Sequence, residues 1–88
     1  MTPDQRDIVL IPVPFSDLTS VKHRPVLVLS TTTYNRRSDD VLVAAISSNI
    51  TRKRHAIRIT TGDLEQGVLK RTSIIRADKI YTLSKSII

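Results

Sequence analysis

Apolar residues fall into short runs, each bounded by polar, basic or turn-forming stretches. Residues 8–13 read Ile-Val-Leu-Ile-Pro-Val and predict a first strand. Pro12 and Pro14 cannot donate to a ladder, so the far end of that strand is expected at a sheet edge or a bulge. Residues 26–30 form a second apolar run that is too short for a helix and reads as a buried strand, with threonine able to extend it to Thr32. Residues 41–46, Val-Leu-Val-Ala-Ala-Ile, form a third. Residues 55–60 alternate, with Ile57 and Ile59 on one face and Arg58 on the other, as in a half-exposed strand. Residues 72–83 hold one or two more strands, with a kink at 77–79. The stretches 15–21, 34–40, 51–55 and 61–67 are connections, the second with room for one helical turn. Short strands at this spacing predict one mainly β domain over residues 1–88, a small antiparallel barrel or strongly bent sheet. The alternative is an α+β domain with an open sheet.

Composition narrows the function classes. The chain has 88 residues, no cysteine and an aromatic content of 3%, so its core must be aliphatic and holds neither disulfide nor thiolate metal site. Fourteen Lys and Arg against eight Asp and Glu leave a net charge of +6, which favours a polyanionic partner such as nucleic acid or an acidic protein segment. No apolar run approaches the ~20 residues of a membrane span, and nothing at the N-terminus resembles a secretory signal. A cytoplasmic location is expected. His23 and His55 are 32 positions apart with no cysteine, so no metal site is expected, and no glycine-rich cradle points to a nucleotide cofactor.

Two features carry candidate chemistry. In Lys22-His23-Arg24-Pro25, the proline pushes Arg24 into an extended conformation and braces it at the mouth of the second strand. Ser47, followed by Ser48 and Asn49, closes the third strand. In an antiparallel sheet, Arg24 and Ser47 can share one end, where a guanidinium and a hydroxyl together suit a phosphate. Taken singly, Arg24 reads as a solvated loop cation and Ser47 as a turn former. Arg36, Arg37, Arg52, Lys53, Arg54, Arg58, Lys70, Arg71 and Arg76 form a backbone-binding footprint only if they share a face. Phe15, Tyr34 and Tyr81 are the aromatic residues available for stacking on bases.

With those residues in view, the sequence resembles the MazF/PemK family of toxins from toxin–antitoxin pairs. The resemblance runs through residues 7–18, the block from Arg24 to Ser30, the block from Asp40 to Ser48, and residues 67–75 and 78–83. It implies an SH3-like β-barrel with short helices, usually homodimeric. It also implies a metal-independent endoribonuclease that cuts single-stranded RNA by attack of a ribose 2′-hydroxyl and is neutralised by a cognate antitoxin. The family's catalytic arginine matches Arg24, and its catalytic threonine or serine matches Ser47. Phe15, Ser16, Asp17 and Lys22 of the first loop, with Ser48 and Asn49, are then expected against the RNA. His23 neighbours Arg24 on an extended segment and therefore points away from it.

The chain departs from the family pattern in three places. The usual glycine before the Asp-Ile-Val block is Arg6, the first loop is short, and the sequence stops where the family usually continues into a further helix. Ser86-Ile87-Ile88 is an apolar ending, expected to dock against the rest of the fold. Two non-catalytic alternatives share the barrel: a CcdB-type gyrase poison, and a decayed toxin that binds only nucleic acid or antitoxin.

Overall fold

The computed structural model describes residues 2–14, 21–47, 56–64 and 72–88. In chain order these form β1 (Ile8–Pro14), β2 (Val21–Val28), α1 (Thr32–Arg37), β3 (Asp40–Ser47), β4 (Ala56–Ile59) and β5 (Ser73–Ser84). Single 3₁₀ turns follow at Thr61–Asp63 and Lys85–Ile87. All pairings are antiparallel, in the spatial order β1-β2-β3-β5-β4. The mainly β class with short helices matches expectation. The sheet does not close into a barrel: β1 and β4 are its edges among the described residues. Pro12 and Pro14 thus lie on an edge strand, where a missing N–H is tolerated.

β2 starts five residues earlier than its apolar run, at Val21. Lys22, His23 and Arg24 are inside the strand, opposite Val13, Pro12 and Ile11 of β1. The sequence reading put Arg24 at the mouth of the strand. That boundary was wrong because a ladder is made by backbone groups, which charged side chains leave intact on an exposed stretch. Pro25 plays a different part. Val28 N–H donates to Asp7 O at 2.8 Å and Leu29 N–H donates to Leu42 O at 2.8 Å. Even residues of β2 therefore turn their N–H toward β1 and odd residues toward β3. The missing N–H of Pro25 lies on the β3 side, and the β2–β3 ladder ends one residue away, at Val26↔Ala45.

The main hydrophobic cluster occupies one face of the sheet, while Ala44, Ile46 and Ile59 are buried on the other. Ile11, Val26, Val28, Val41 and Val43 form that cluster, with Val9, Val13, Leu83 and Ile88 packed against them. Register explains the set: Val9 opposes Val26, Val28 opposes Val43, and Val41 opposes Leu83, and directly opposed residues share a face. Ile88 docks on this cluster, as the apolar ending suggested, whereas Ile87 stays exposed. In β4 Ile59 is buried, but Ile57 on the same face is 60% exposed.

A buried asparagine ties the ends of the sheet together. Asn35 of α1 is fully buried, and its Nδ2 donates to Pro3 O at 3.0 Å and to Ser30 O at 3.2 Å. The Ser30 hydroxyl donates to Asn35 Oδ1 and accepts from Leu42 N. Lys85 Nζ donates to Asn35 O at 2.7 Å. One side chain thus answers polar groups from the N-terminal segment and the β2–α1 connection, while its own carbonyl receives the segment after β5. α1 itself is capped by Thr31, whose Oγ1 accepts from Tyr34 N, and carries Arg36 and Arg37 in its last turn, where cations suit the dipole.

Arg6 has φ 76°, and its N–H donates to Val28 O at 2.9 Å. The residue standing where the family has glycine therefore holds the left-handed conformation that glycine adopts freely. Arg6→Gly is expected to stabilise the fold by about 0.5–1 kcal/mol, after the larger unfolded-state entropy of glycine is counted. This corresponds to a rise of roughly 2–8 °C in Tm, measurable by calorimetry. Asn35→Ala leaves several buried polar groups unanswered and should cost about 2–4 kcal/mol in a denaturant titration. A loss within 0.5 kcal/mol, on the order of an ordinary surface change, would remove the network from that role.

Candidate functional site

At one end of the core face the apolar rows give way to charge. Along β2 the inward series Val28, Val26 continues into Arg24 and Lys22, which are exposed. Their partners on β1, Ile11 and Val13, show that both cations project on the core side of the sheet. Along β3 the series Val41, Val43, Ala45 continues into the half-buried Ser47. Extending the β2–β3 register by two residues beyond Val26↔Ala45 sets Arg24 level with Ser47. The row continues across the sheet through Ile74 of β5 and Arg58 of β4.

Each element has a clear part in this arrangement. Pro25 releases β2 from β3 at this point, so the side chain before it is not enclosed by a continuing ladder. Among the described residues nothing hydrogen-bonds or ion-pairs the Arg24 guanidinium, which leaves its planar fork of donors for an anion. Ala45, one step inward from Ser47, contributes only a methyl group and leaves space above the strand. His23 points to the opposite side, over Pro12, as alternation requires.

A residue pair missed at the sequence level borders this site. Arg76 of β5 opposes Ala45 and therefore shares the face of Arg24 and Ser47. Its Nε donates to Asp78 Oδ1 at 2.9 Å and its Nη2 to Asp78 Oδ2 at 2.7 Å, a two-pronged ion pair. The Arg76 side chain is 17% exposed. Those hydrogen bonds hold the Asp78 carboxyl well below its ordinary range, at about 2, and raise Arg76 further. Asp78 is thus ionised at neutral pH and acts as a clamp that fixes the plane of a cation. The kink expected at 77–79 was the available signal. It coincides with a register break between Ala44 and Ala45, but the ion pair across it has no signature beyond an Arg-x-Asp spacing.

The charged footprint divides. Lys22, Arg24, Arg58 and Arg76 gather at one end of the sheet. Arg36 and Arg37 are on α1, beside the start of β3, roughly 20 Å from Ser47 by the rise of that strand. Phe15, Ser16, Asp17, Ser48 and Asn49, with Arg52, Lys53, Arg54, Lys70 and Arg71, lie outside the described residues. Among the described residues no three His, Asp or Glu side chains come together as a metal site.

A family described as PemK-like, MazF-like toxin of type II toxin–antitoxin system matches residues 4–88. No curated protein matches the chain by sequence. Among solved structures, an endoribonuclease in complex with its cognate antitoxin from a Mycobacterial species superposes with a TM-score of 0.74 at 20% identity, covering 97% of this chain and 71% of the other. A MazE–MazF complex from Deinococcus radiodurans superposes with a TM-score of 0.73 at 19% identity, covering 99% and 75%. At such identities the likeness is one of fold.

The clamp has a measurable signature. An NMR titration of the Asp78 carboxyl should give a midpoint near 2, and Arg76→Ala should return it toward the ordinary 3.8. Because the folded-state value is depressed, the pair's contribution to stability is complete above the ordinary value and is lost as pH falls toward 2. A midpoint near 3.8 in the unaltered chain would show that the pair does not form in solution.

Proposed function

Because the chain belongs to the PemK-like, MazF-like toxins of type II toxin–antitoxin systems, we propose that it is a metal-independent, sequence-specific endoribonuclease that cleaves single-stranded RNA in the cytoplasm. The observation that carries this reading is that antiparallel pairing brings Arg24 of β2 and Ser47 of β3 to the same end and the same face of the sheet, among the cations Lys22, Arg58 and Arg76. In the reaction a ribose 2′-oxygen attacks the adjacent phosphorus and gives up its proton. The bond from phosphorus to the 5′-oxygen breaks, and that oxygen takes up a proton. The products are a cyclic phosphate and a free 5′-hydroxyl.

Negative charge builds on the non-bridging phosphoryl oxygens during attack. Donors already aimed at those oxygens lower the barrier without reorganising. Arg24 supplies charge and a planar fork of N–H groups, and Ser47 supplies a hydroxyl at the same level. Arginine stays protonated at all working pH values, so its part is to stabilise charge, not to accept the proton of the 2′-hydroxyl. Lys22 continues the basic strip toward the 15–20 loop, where Phe15, Ser16 and Asp17 would meet the bases. Ser48 and Asn49, which follow Ser47 in the sequence, would contact the same RNA.

Two protein partners follow from the two faces of the sheet. An acidic antitoxin segment suits the cluster of Lys22, Arg24, Arg58 and Arg76, and would block RNA by occupying it. On the opposite face Leu10, Ile57 and Ile80 are large and exposed, which fits burial against a second copy in a homodimer. The readings without catalysis, a gyrase poison or a decayed toxin, leave the level placement of Arg24 and Ser47 without a purpose.

Purified protein in EDTA is expected to cut a long single-stranded RNA into discrete fragments with 5′-hydroxyl ends. Arg24→Ala and Ser47→Ala should each lower the rate by roughly 10²–10³, the usual cost of one such donor. Intact RNA with the unaltered protein, or fragments that persist unchanged in both variants, would overturn the proposal.

A further inference from the structure

Tyr81 reaches the face of Arg24 and Ser47 by an irregular route. It follows Arg76 by an odd number of positions, and on an unbroken strand such a pair points to opposite faces. The register break changes this. Arg76 opposes Ala45 and Tyr81 opposes Val43, two residues apart on β3 and therefore on one face. Ala77, Asp78 and Lys79 have no partner on β3, so Arg76 and Tyr81 become successive side chains of the same surface. The Tyr81 oxygen is close enough to Arg76 to interact with it electrostatically.

The ring is also unusually open for its row. Val43 and Val28, which continue that row across the sheet, are fully buried, whereas Tyr81 is 47% exposed. An amphipathic ring half out of the core, next to a guanidinium whose plane is held by Asp78, offers a flat surface beside a fixed cation. The same surface leads back past Ala45 and Arg76 to Ser47. Ser47 and Val43 are four residues apart on β3, about 13 Å along the strand.

We propose that Tyr81 is a stacking platform for one base of the RNA, about two nucleotides from the phosphate held by Arg24 and Ser47, with Arg76 between them on the intervening backbone. The proposal rests on the ribonuclease reading above and adds a specificity-determining residue to it. Every base has a π-face, so the platform tolerates sequence but favours the larger purine rings. The three-residue irregularity in β5 then has a purpose: it brings ring and cation to the same side.

The test uses oligoribonucleotides spanning the cut site, with 2-aminopurine at successive positions and a 2′-deoxy sugar at the attacking ribose. They are titrated with the unaltered protein, Tyr81→Phe and Tyr81→Ala, and cleavage of the all-ribose strand is measured in parallel. The unaltered protein and Tyr81→Phe should quench fluorescence at one position near the cut. Tyr81→Ala should lose that quenching and raise KM by roughly tenfold or more, with kcat nearly unchanged. Unchanged quenching and KM in Tyr81→Ala would overturn the proposal. So would equal losses in the Phe and Ala variants, or a Tyr81→Ala defect accompanied by a changed oligomeric state in sedimentation velocity. An unaltered protein that cuts no RNA overturns the ribonuclease reading together with this one, whereas the other three outcomes overturn this one alone.

Discussion

The missing N–H of Pro25 organises the functional end of the molecule. β2 is paired on both sides from Val26 onward and on the β1 side alone before it, from Val21 to Pro25. The strand therefore stays straight and in register, held by β1, while it parts from β3. The side chains carried past that point keep the face assigned to them by the ladder but lose the enclosure a second neighbour would impose. A charged group there costs little to solvate, and it is still aimed. A donor-bearing residue at position 25 would allow the β2–β3 ladder to continue past Val26.

Strand order along the chain and the aliphatic core were legible from the hydrophobic pattern, and the prolines of β1 narrowed its far end to an edge or a bulge. The start of β2 was not, because three basic residues look like a loop while their backbone pairs with β1. That Arg24 and Ser47 share one end of the sheet was readable as a consequence of antiparallel pairing, since both residues are counted from the same strand boundaries. Asn35 looked like a loop residue: nothing in its neighbourhood announces that Pro3 and Lys85, far away in sequence, converge on it. The Arg76–Asp78 clamp escaped notice for a related reason. A kink was visible at 77–79, but its effect on which side chains become neighbours depends on the partner strand.

The two ends of β5 differ in character. Ser73 and Ile74 are buried between β3 and β4, whereas the half beyond the register break has β3 alone as its partner among the described residues and is largely exposed. The register break is the joint between these halves. It lets one strand serve first as a structural member of the sheet and then as a bearer of exposed groups, with an ion pair bracing the change. The basic end of the sheet thus draws its cations from three strands, which explains why no single stretch of the chain looks like a binding motif.

Because β3 is flanked by β2 on one side and β5 on the other, the sheet cannot be completed in the order in which the chain is made. While a ribosome is still producing the second half of the protein, β3 has a partner on one side only, and Asn35 still lacks Lys85. The groups of the site exist by then, but the surface that orients them does not. The basic end of the sheet therefore takes its final shape only once β5 has left the exit tunnel.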